Sequence, residues 1–405
     1  MMTLRYDPSK RPLIKPLVAA DFIPYKNQKQ HNIEQEIANM IEEELKYKAN
    51  KTRFKRASLS LSGGVDSGLT LAMLRSVLPS VKLECISVGF GVKDEEVERA
   101  GELARIYDCD FHNIILDDIL GDLPRLIRIV KEPRWNLYHY YAFAAGRKKS
   151  RVFFTGDGGD ELFGGYTFRY KKFLSQLPSI DNDNNIGWQE KAKLYLSCHE
   201  RDWVPDQNKM FGSAVKFSWK EIYRLFRTYF DNNGLHPLDQ VFLADFNGKL
   251  LYDWLPANKA FEKSLDIKIE SVFLTDRMIK FATHVPWQAK YDPDGAVGKI
   301  PLRSILSKQK GFGKLEPIKK GFSVDMAWLW KRNAREIVGA YVNSDSEVVK
   351  ENIIEAEWVK KTWKRLSSRD SELDPRYVNK MLIILALEVW YRLFVSHTMT
   401  ARHKL

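Results

Sequence analysis

Apolar residues follow two rhythms along this chain. Between residues 56 and 155, short apolar runs alternate with stretches of helical spacing, predicting strands at 57–61, 82–90, 110–116 and 151–155. Helices are expected between them at 67–77, 94–107, 122–130 and 138–148, and another precedes them from Asn32 to Tyr47. This alternation implies a doubly wound parallel sheet, an α/β fold class. After Tyr166 the strand signal fades. Helical spacing then dominates, over Trp219–Phe230, Leu238–Trp254, Asp325–Tyr341, Ser346–Leu366 and Tyr377–Phe394. The expected organisation is an extension with one helix (1–50), an α/β core (51–172), a variable helical region (173–240) and a helical C-terminal part packed on the sheet (241–405).

Candidate chemistry falls at the strand-to-helix junctions. Ser62-Gly63-Gly64-Val65-Asp66-Ser67 closes the first strand and opens a helix. Such a turn aims unpaired N–H groups and the positive helix end at one spot, and adjacent glycines let the backbone approach an anion. Pyrophosphate suits that cradle. Asp66 does not, unless a cation such as magnesium stands between the carboxylate and the phosphates. The loop lacks the lysine of G-x-x-x-x-G-K-[ST], so simple γ-phosphate cleavage is not indicated. Alone it reads equally well as an ordinary glycine-rich turn. A second strand, Arg151–Thr155, runs into Gly156-Asp157-Gly158-Gly159-Asp160-Glu161. In an open parallel sheet both loops would line the carboxyl edge, where ligands bind, and Asp66 and Asp160 could share one metal. Glu161 occupies the third-glycine position of G-x-G-x-x-G, which argues against a dinucleotide fingerprint.

Together, SGGVDS and GDGGDELFGGY resemble the synthetase domain of asparagine synthetases and β-lactam synthetases, a branch of the ATP pyrophosphatase (PP-loop) superfamily with an adenine nucleotide alpha hydrolase-like fold. Downstream, Asp253-Trp254-Leu255-Pro256 is similar to the D-x-L-P-like segment, Lys299-Ile300-Pro301-Leu302-Arg303 to K-x-x-L-R, Lys319-Lys320-Gly321-Phe322-Ser323 to K-x-G-F-S, and Leu387–Tyr391 to the closing L-E-x-W helix. The resemblance implies ATP-dependent activation of a carboxylate as acyl-adenylate, with pyrophosphate leaving and an amine then displacing AMP. It implies that Leu61, Ser62, Gly63, Gly64, Asp66, Ser67, Val88, Gly156 and Asp157 lie against ATP, and that Asp66 and Asp160 hold magnesium. Lys319 would stabilise developing charge, with Lys320 as its rival for that role. Glu132, Tyr138, Gly158, Asp266 and Lys268 are the candidates on the acceptor side.

Three departures concern the acceptor. Where the family pattern reads S-L-E-x-R-x-P-F-L, Ser264-Leu265-Asp266-Ile267-Lys268 keeps the charges but loses the proline before Phe273-Leu274; an ungapped register instead puts Lys268 and Glu270 there with charges reversed. Asn136 stands where an aspartate is common after Glu132-Pro133, and Thr155 replaces a serine. An acceptor other than aspartate is therefore open. The chain opens Met1-Met2-Thr3, without the cysteine of the family's N-terminal glutaminase, so the nitrogen is expected from ammonia, a separate glutaminase subunit or a substrate amine. A β-lactam-synthetase-like cyclase, an RNA-modifying pyrophosphatase and a nucleotide-binding protein without turnover remain alternatives, and a homodimer is open.

Composition narrows the setting. No apolar run nears the roughly 18 residues of a membrane helix. Cys85, Cys109 and Cys198 have neither zinc-site nor disulfide-framework spacing, and a reducing cytoplasm is the expected location. The net charge is +12, with basic clusters at Lys46–Arg56, Arg147–Arg151 and Lys308–Lys320. Without an RNA-binding module these read as solvated faces and an ATP site, nucleic acid being the lesser reading.

Overall fold

The computed structural model describes residues 1–23, 30–91, 94–177, 186–199, 202–312, 324–368 and 373–405. Strands β1 (Arg56–Ser60), β2 (Lys82–Gly89), β3 (Asp110–Ile115), β4 (Val152–Thr155) and β5 (Lys268–Ser271) form one parallel sheet in the order β3-β2-β1-β4-β5. The chain moves outward from β1 through β2 to β3, then returns to the other side of β1 as β4. The order therefore reverses between β1 and β4, which opens a crevice at their carboxyl ends.

Both faces are covered because the central strands β1, β2 and β4 are buried on both sides. Leu59, Leu83 and Phe154 pack toward α1 (Gln30–Thr52), α2 (Val65–Val77) and α3 (Glu95–Ile106). Ile86, Val88 and Phe153 pack toward α4 (Leu123–Val130), α5 (His139–Arg147) and the long buried helix Pro375–Phe394. A short helix, α6 (Gly159–Phe163), follows β4 directly. Among the described residues no helix is long and apolar enough to cross a membrane.

One expectation needs correction. The sheet does not end with the segment 51–172, since β5 comes from the part read as helical and pairs with β4 from Val152↔Lys268 to Thr155↔Ser271. Lys-Ile-Glu-Ser at an edge is only partly buried, so it lacks the apolar run that marks the central strands. The N-terminal extension, whose role the sequence leaves open, is packed into the body of the protein. Leu4, Tyr6 and Phe22 are buried in a third core with Tyr170, Phe242 and Tyr291. Arg5 pairs with Asp202 at 3.5 Å, and Lys380 Nζ donates to the Met2 carbonyl at 2.6 Å.

Candidate active site

The crevice between β1 and β4 brings the two loops together. After Ser60 the chain turns through Gly63, whose φ of +69° favours glycine, and Gly64 caps α2. Ser62 and Ser67 fasten this turn, with their hydroxyls 3.2 Å apart and the Ser62 N–H donating to Ser67 Oγ at 3.2 Å. Asp66 lies in the first turn of α2. The β4 loop presses against it so closely that a Cβ on Gly156 would stand 2.7 Å from Asp66 Cβ, which explains the glycine there.

Lys299 joins the two acidic loops. Its ammonium pairs with Asp66 Oδ2 and lies 2.6 Å from Asp160 Oδ1. The side chain is buried, with its backbone held by Lys299 N–H donating to the Phe163 carbonyl at 2.9 Å. Burial opposes the charge, but Asp160 and Asp66 outweigh it and raise the ammonium pKa above its ordinary value. Two carboxylates from separate loops thus converge on one cation position. Magnesium needs only one or two carboxylates beside substrate phosphates, so this donor set fits it. Among the described residues no cluster of three or more His, Cys, Asp or Glu side chains is arranged to cage a metal.

Asp157 sits between these loops and β5. Its carboxylate accepts from Thr155 Oγ1 at 2.8 Å, Trp254 Nε1 at 2.7 Å and Asn258 Nδ2 at 2.8 Å, and its carbonyl accepts from Ser271 Oγ at 2.6 Å. Burial pushes its pKa up to about 6 against the pull of those donors. Gly158, at φ +91°, faces Leu274. Leu61 is buried with its carbonyl accepting from Ser87 Oγ, and Val88 is buried near the end of β2.

The acceptor-side candidates separate. Glu132 is buried and paired with Arg134 and Lys10, and Arg134 also pairs with Asp253. Tyr138 meets Phe90 edge-on at 5.0 Å, at the carboxyl edge of β2. Asp266 and Lys268 lie elsewhere. Both are at the amino end of β5, where Asp266 is exposed and pairs with Arg151 at 3.2 Å and Arg147 at 3.6 Å. A parallel strand puts its two ends at opposite edges of the sheet, so neither residue reaches the crevice. Glu270, from the ungapped register, is paired with Lys48. His139 is a packing residue, stacked on Trp254 at 4.4 Å and kept neutral by burial, which lowers its pKa to about 3.

Residues 50–392 match the family model described as asparagine synthase. The chain belongs to the asparagine synthase family. Asparagine synthetase [glutamine-hydrolyzing] 1 of Bacillus subtilis (strain 168) is 30% identical over 202 residues, 46% of this chain and 31% of that protein. A putative asparagine synthetase [glutamine-hydrolyzing] of Mycobacterium bovis is 22% identical over 379 residues, 84% of this chain and 54% of the relative. The chain therefore spans about half or less of these relatives' length. Among solved structures, an NH3-dependent NAD synthetase from Campylobacter jejuni aligns over 58% of this chain and 97% of its own, with 16% identity and a TM-score of 0.28.

For this asparagine synthase family member, sequence reading missed Lys299, Trp254 and Asn258 as site residues. The signal for Lys299 was present, since it opens the K-x-x-L-R element, but its reach to both aspartates depends on a chain reversal far downstream of either loop. Trp254 and Asn258 lie one helical turn apart beside D-x-L-P, so one helix face delivers both donors to Asp157. Lys319 and Lys320 lie outside the described residues.

Proposed function

We propose that this chain is an ATP-dependent carbon–nitrogen ligase that activates a carboxylate as acyl-adenylate, releases pyrophosphate and passes the acyl group to ammonia or an amine. The observation that carries the reading is the convergence of Asp66 and Asp160 on a single cation position at the carboxyl edge of β1 and β4. Magnesium bound there would neutralise the charge of the leaving pyrophosphate. The N–H groups at the start of α2, with Ser62 and Ser67, supply donors for the phosphates. Lys299 adds a buried positive charge beside them, and Asp157, latched by Thr155, Trp254 and Asn258, fixes the second loop against the helix that carries the latter two. Lys319, by family resemblance, would meet the charge that develops at the α-phosphate.

The acceptor carboxylate is open, aspartate being one member of a set that the changed acceptor segment widens. Carboxylate-dependent exchange of labelled pyrophosphate into ATP tests the reading, run with magnesium over aspartate and other small carboxylates. Exchange with one of them is expected, and silence with all of them refutes ligase activity. Lys319→Ala is expected to cut product formation by about 100-fold or more while ATP still binds. Turnover unchanged in that variant would remove the lysine from its role.

A further inference from the structure

Two of the three basic clusters meet at the edge of the sheet opposite the crevice. Backbone register sets their order. Arg56 pairs with Lys82 across β1 and β2, and Ser58 pairs with Phe153, which brings Arg151 level with Arg56 on the other side. Lys268 follows on β5, its N–H donating to the Arg151 carbonyl at 2.7 Å. Lys82, Arg56, Arg151 and Lys268 therefore form one row across four adjacent strands. At about 4.8 Å between strands the row is on the order of 14 Å long. Their side chains are open to solvent, with relative exposures of 49%, 53%, 73% and 56%.

Acidic neighbours offset this charge only in part. Glu84 is buried beneath Arg56 and Lys82, Asp110 pairs with Lys82 at 2.7 Å, Asp266 takes Arg147 and Arg151, and Glu262 stands 3.9 Å from Lys268, so each cation of the row has an acidic neighbour and the surplus lies with the lysines beside it. Lys55, Lys148 and Lys149 are exposed on the flanking turns and make no salt bridge among the described residues. A basic rim at this edge cannot serve ATP at the other, because every strand of the sheet lies between them. Nor does it suit a protein partner or a bilayer by apolar contact. None of the exposed large hydrophobic side chains of the described residues lies in 53–56, 80–82, 147–151 or 266–268, whereas protein interfaces centre on buried apolar anchors.

We infer that this rim is a docking surface for single-stranded nucleic acid, held through its phosphodiester backbone. Guanidinium forks at Arg56 and Arg151 match phosphate geometry, and ammonium groups to either side add charge without sequence preference. No chemistry on the nucleic acid is implied, since the crevice faces away from it. The inference stands independently of the ligase reading.

Fluorescence anisotropy with a labelled uridine oligoribonucleotide of about 15 residues tests it, because backbone-held single strands show log affinity falling with log salt at about −0.7 per neutralised phosphate. A slope of about −2 to −3 is expected from the row of cations. The combined variant Lys55→Glu, Lys148→Glu and Lys149→Glu should weaken binding by about tenfold or more and flatten the slope. Its melting temperature and its pyrophosphate exchange should stay at the parent's values. Failure of the parent to bind RNA at low salt overturns the inference. So does equal binding by the variant, or equal or tighter binding of a polyglutamate peptide or phosphatidylserine vesicles.

Discussion

An ammonium buried between two carboxylates is stable only while all three groups are present, and Lys299 occupies that position between Asp66 and Asp160. Replacing it with alanine leaves two half-buried carboxylates facing each other across a buried gap. Lys299→Ala should therefore lose about 3–5 kcal/mol in urea unfolding without divalent ions, since breaking a buried pair costs that much. Magnesium should restore part of the loss by binding the native state alone. A variant as stable as the parent, or indifferent to magnesium, contradicts a shared cation position. Asp157 gives a second test. Its raised pKa near 6 means that acidification through that value protonates it and weakens the latch to Trp254 and Asn258. Pyrophosphate exchange should fall on the acid side of about pH 6. Asn258→Ala removes a donor that favours the ionised form, so the falling limb should move to higher pH in a kcat/KM profile. A limb that stays in place would separate Asn258 from the titration. The serines, glycines and aspartates of the two loops were readable because their chemistry is local, whereas Lys299, Trp254 and Asn258 act on partners about 100 or more residues away in sequence.

Strands β1 to β4 and the helices between them were legible in the sequence because the three central strands, β1, β2 and β4, are buried on both faces, which writes apolar runs bounded by glycine and charge, and the edge strand β3 still carries a short apolar run. β5 was not legible. Its Lys268 and Glu270 alternate with Ile269 and Ser271 at a half-covered edge, a pattern four residues long that also suits a loop. The helix expected at Leu238–Trp254 exists, but it passes from Pro237–Asp245 into wider π-type turns over Phe246–Trp254, with a non-helical break at Gly248. Its final turn presents Asp253 to Arg134 and Trp254 to Asp157. Such widened turns often occur at functional sites. Where loop meets helix the tolerance is small. Gly156→Ala would drive a methyl into Asp66 Cβ, and should cost about 1–3 kcal/mol of stability by overpacking. The pyrophosphate exchange rate should fall with it, since the displaced group is Asp66. An alanine variant with normal exchange would mean that the contact between the loops does not matter.

At the scale of the whole molecule, three cores share one chain, and the N-terminal segment belongs to the third. The burial of that segment predicts that it melts with the rest. Tyr6→Ala should cost about 3–5 kcal/mol, as for other buried aromatics, and shift one common urea transition seen by tryptophan fluorescence and far-UV circular dichroism alike. Two transitions, with only one displaced, would mean that the N-terminal segment melts apart from the rest. Charge divides the molecule differently from packing. Acidic loops and the buried lysine stand at the carboxyl edge of the sheet, and the row from Lys82 to Lys268 stands at the amino edge. Sequence showed the basic clusters but not their meeting, because strand register alone aligns Arg56 with Lys82 and Arg151.

The position of β5 in the chain bears on how the protein is made. Strands β1 to β4 are complete once Thr155 has left the ribosome, yet the strand that covers the edge of β4 begins only at Lys268. Throughout the synthesis of the intervening helices, β4 presents unpaired N–H and C=O groups beside the second acidic loop. An open edge of that kind invites pairing with another nascent chain. Slow translation across this interval should therefore favour aggregation, and a helper that shields the edge of β4 should raise the yield of folded protein.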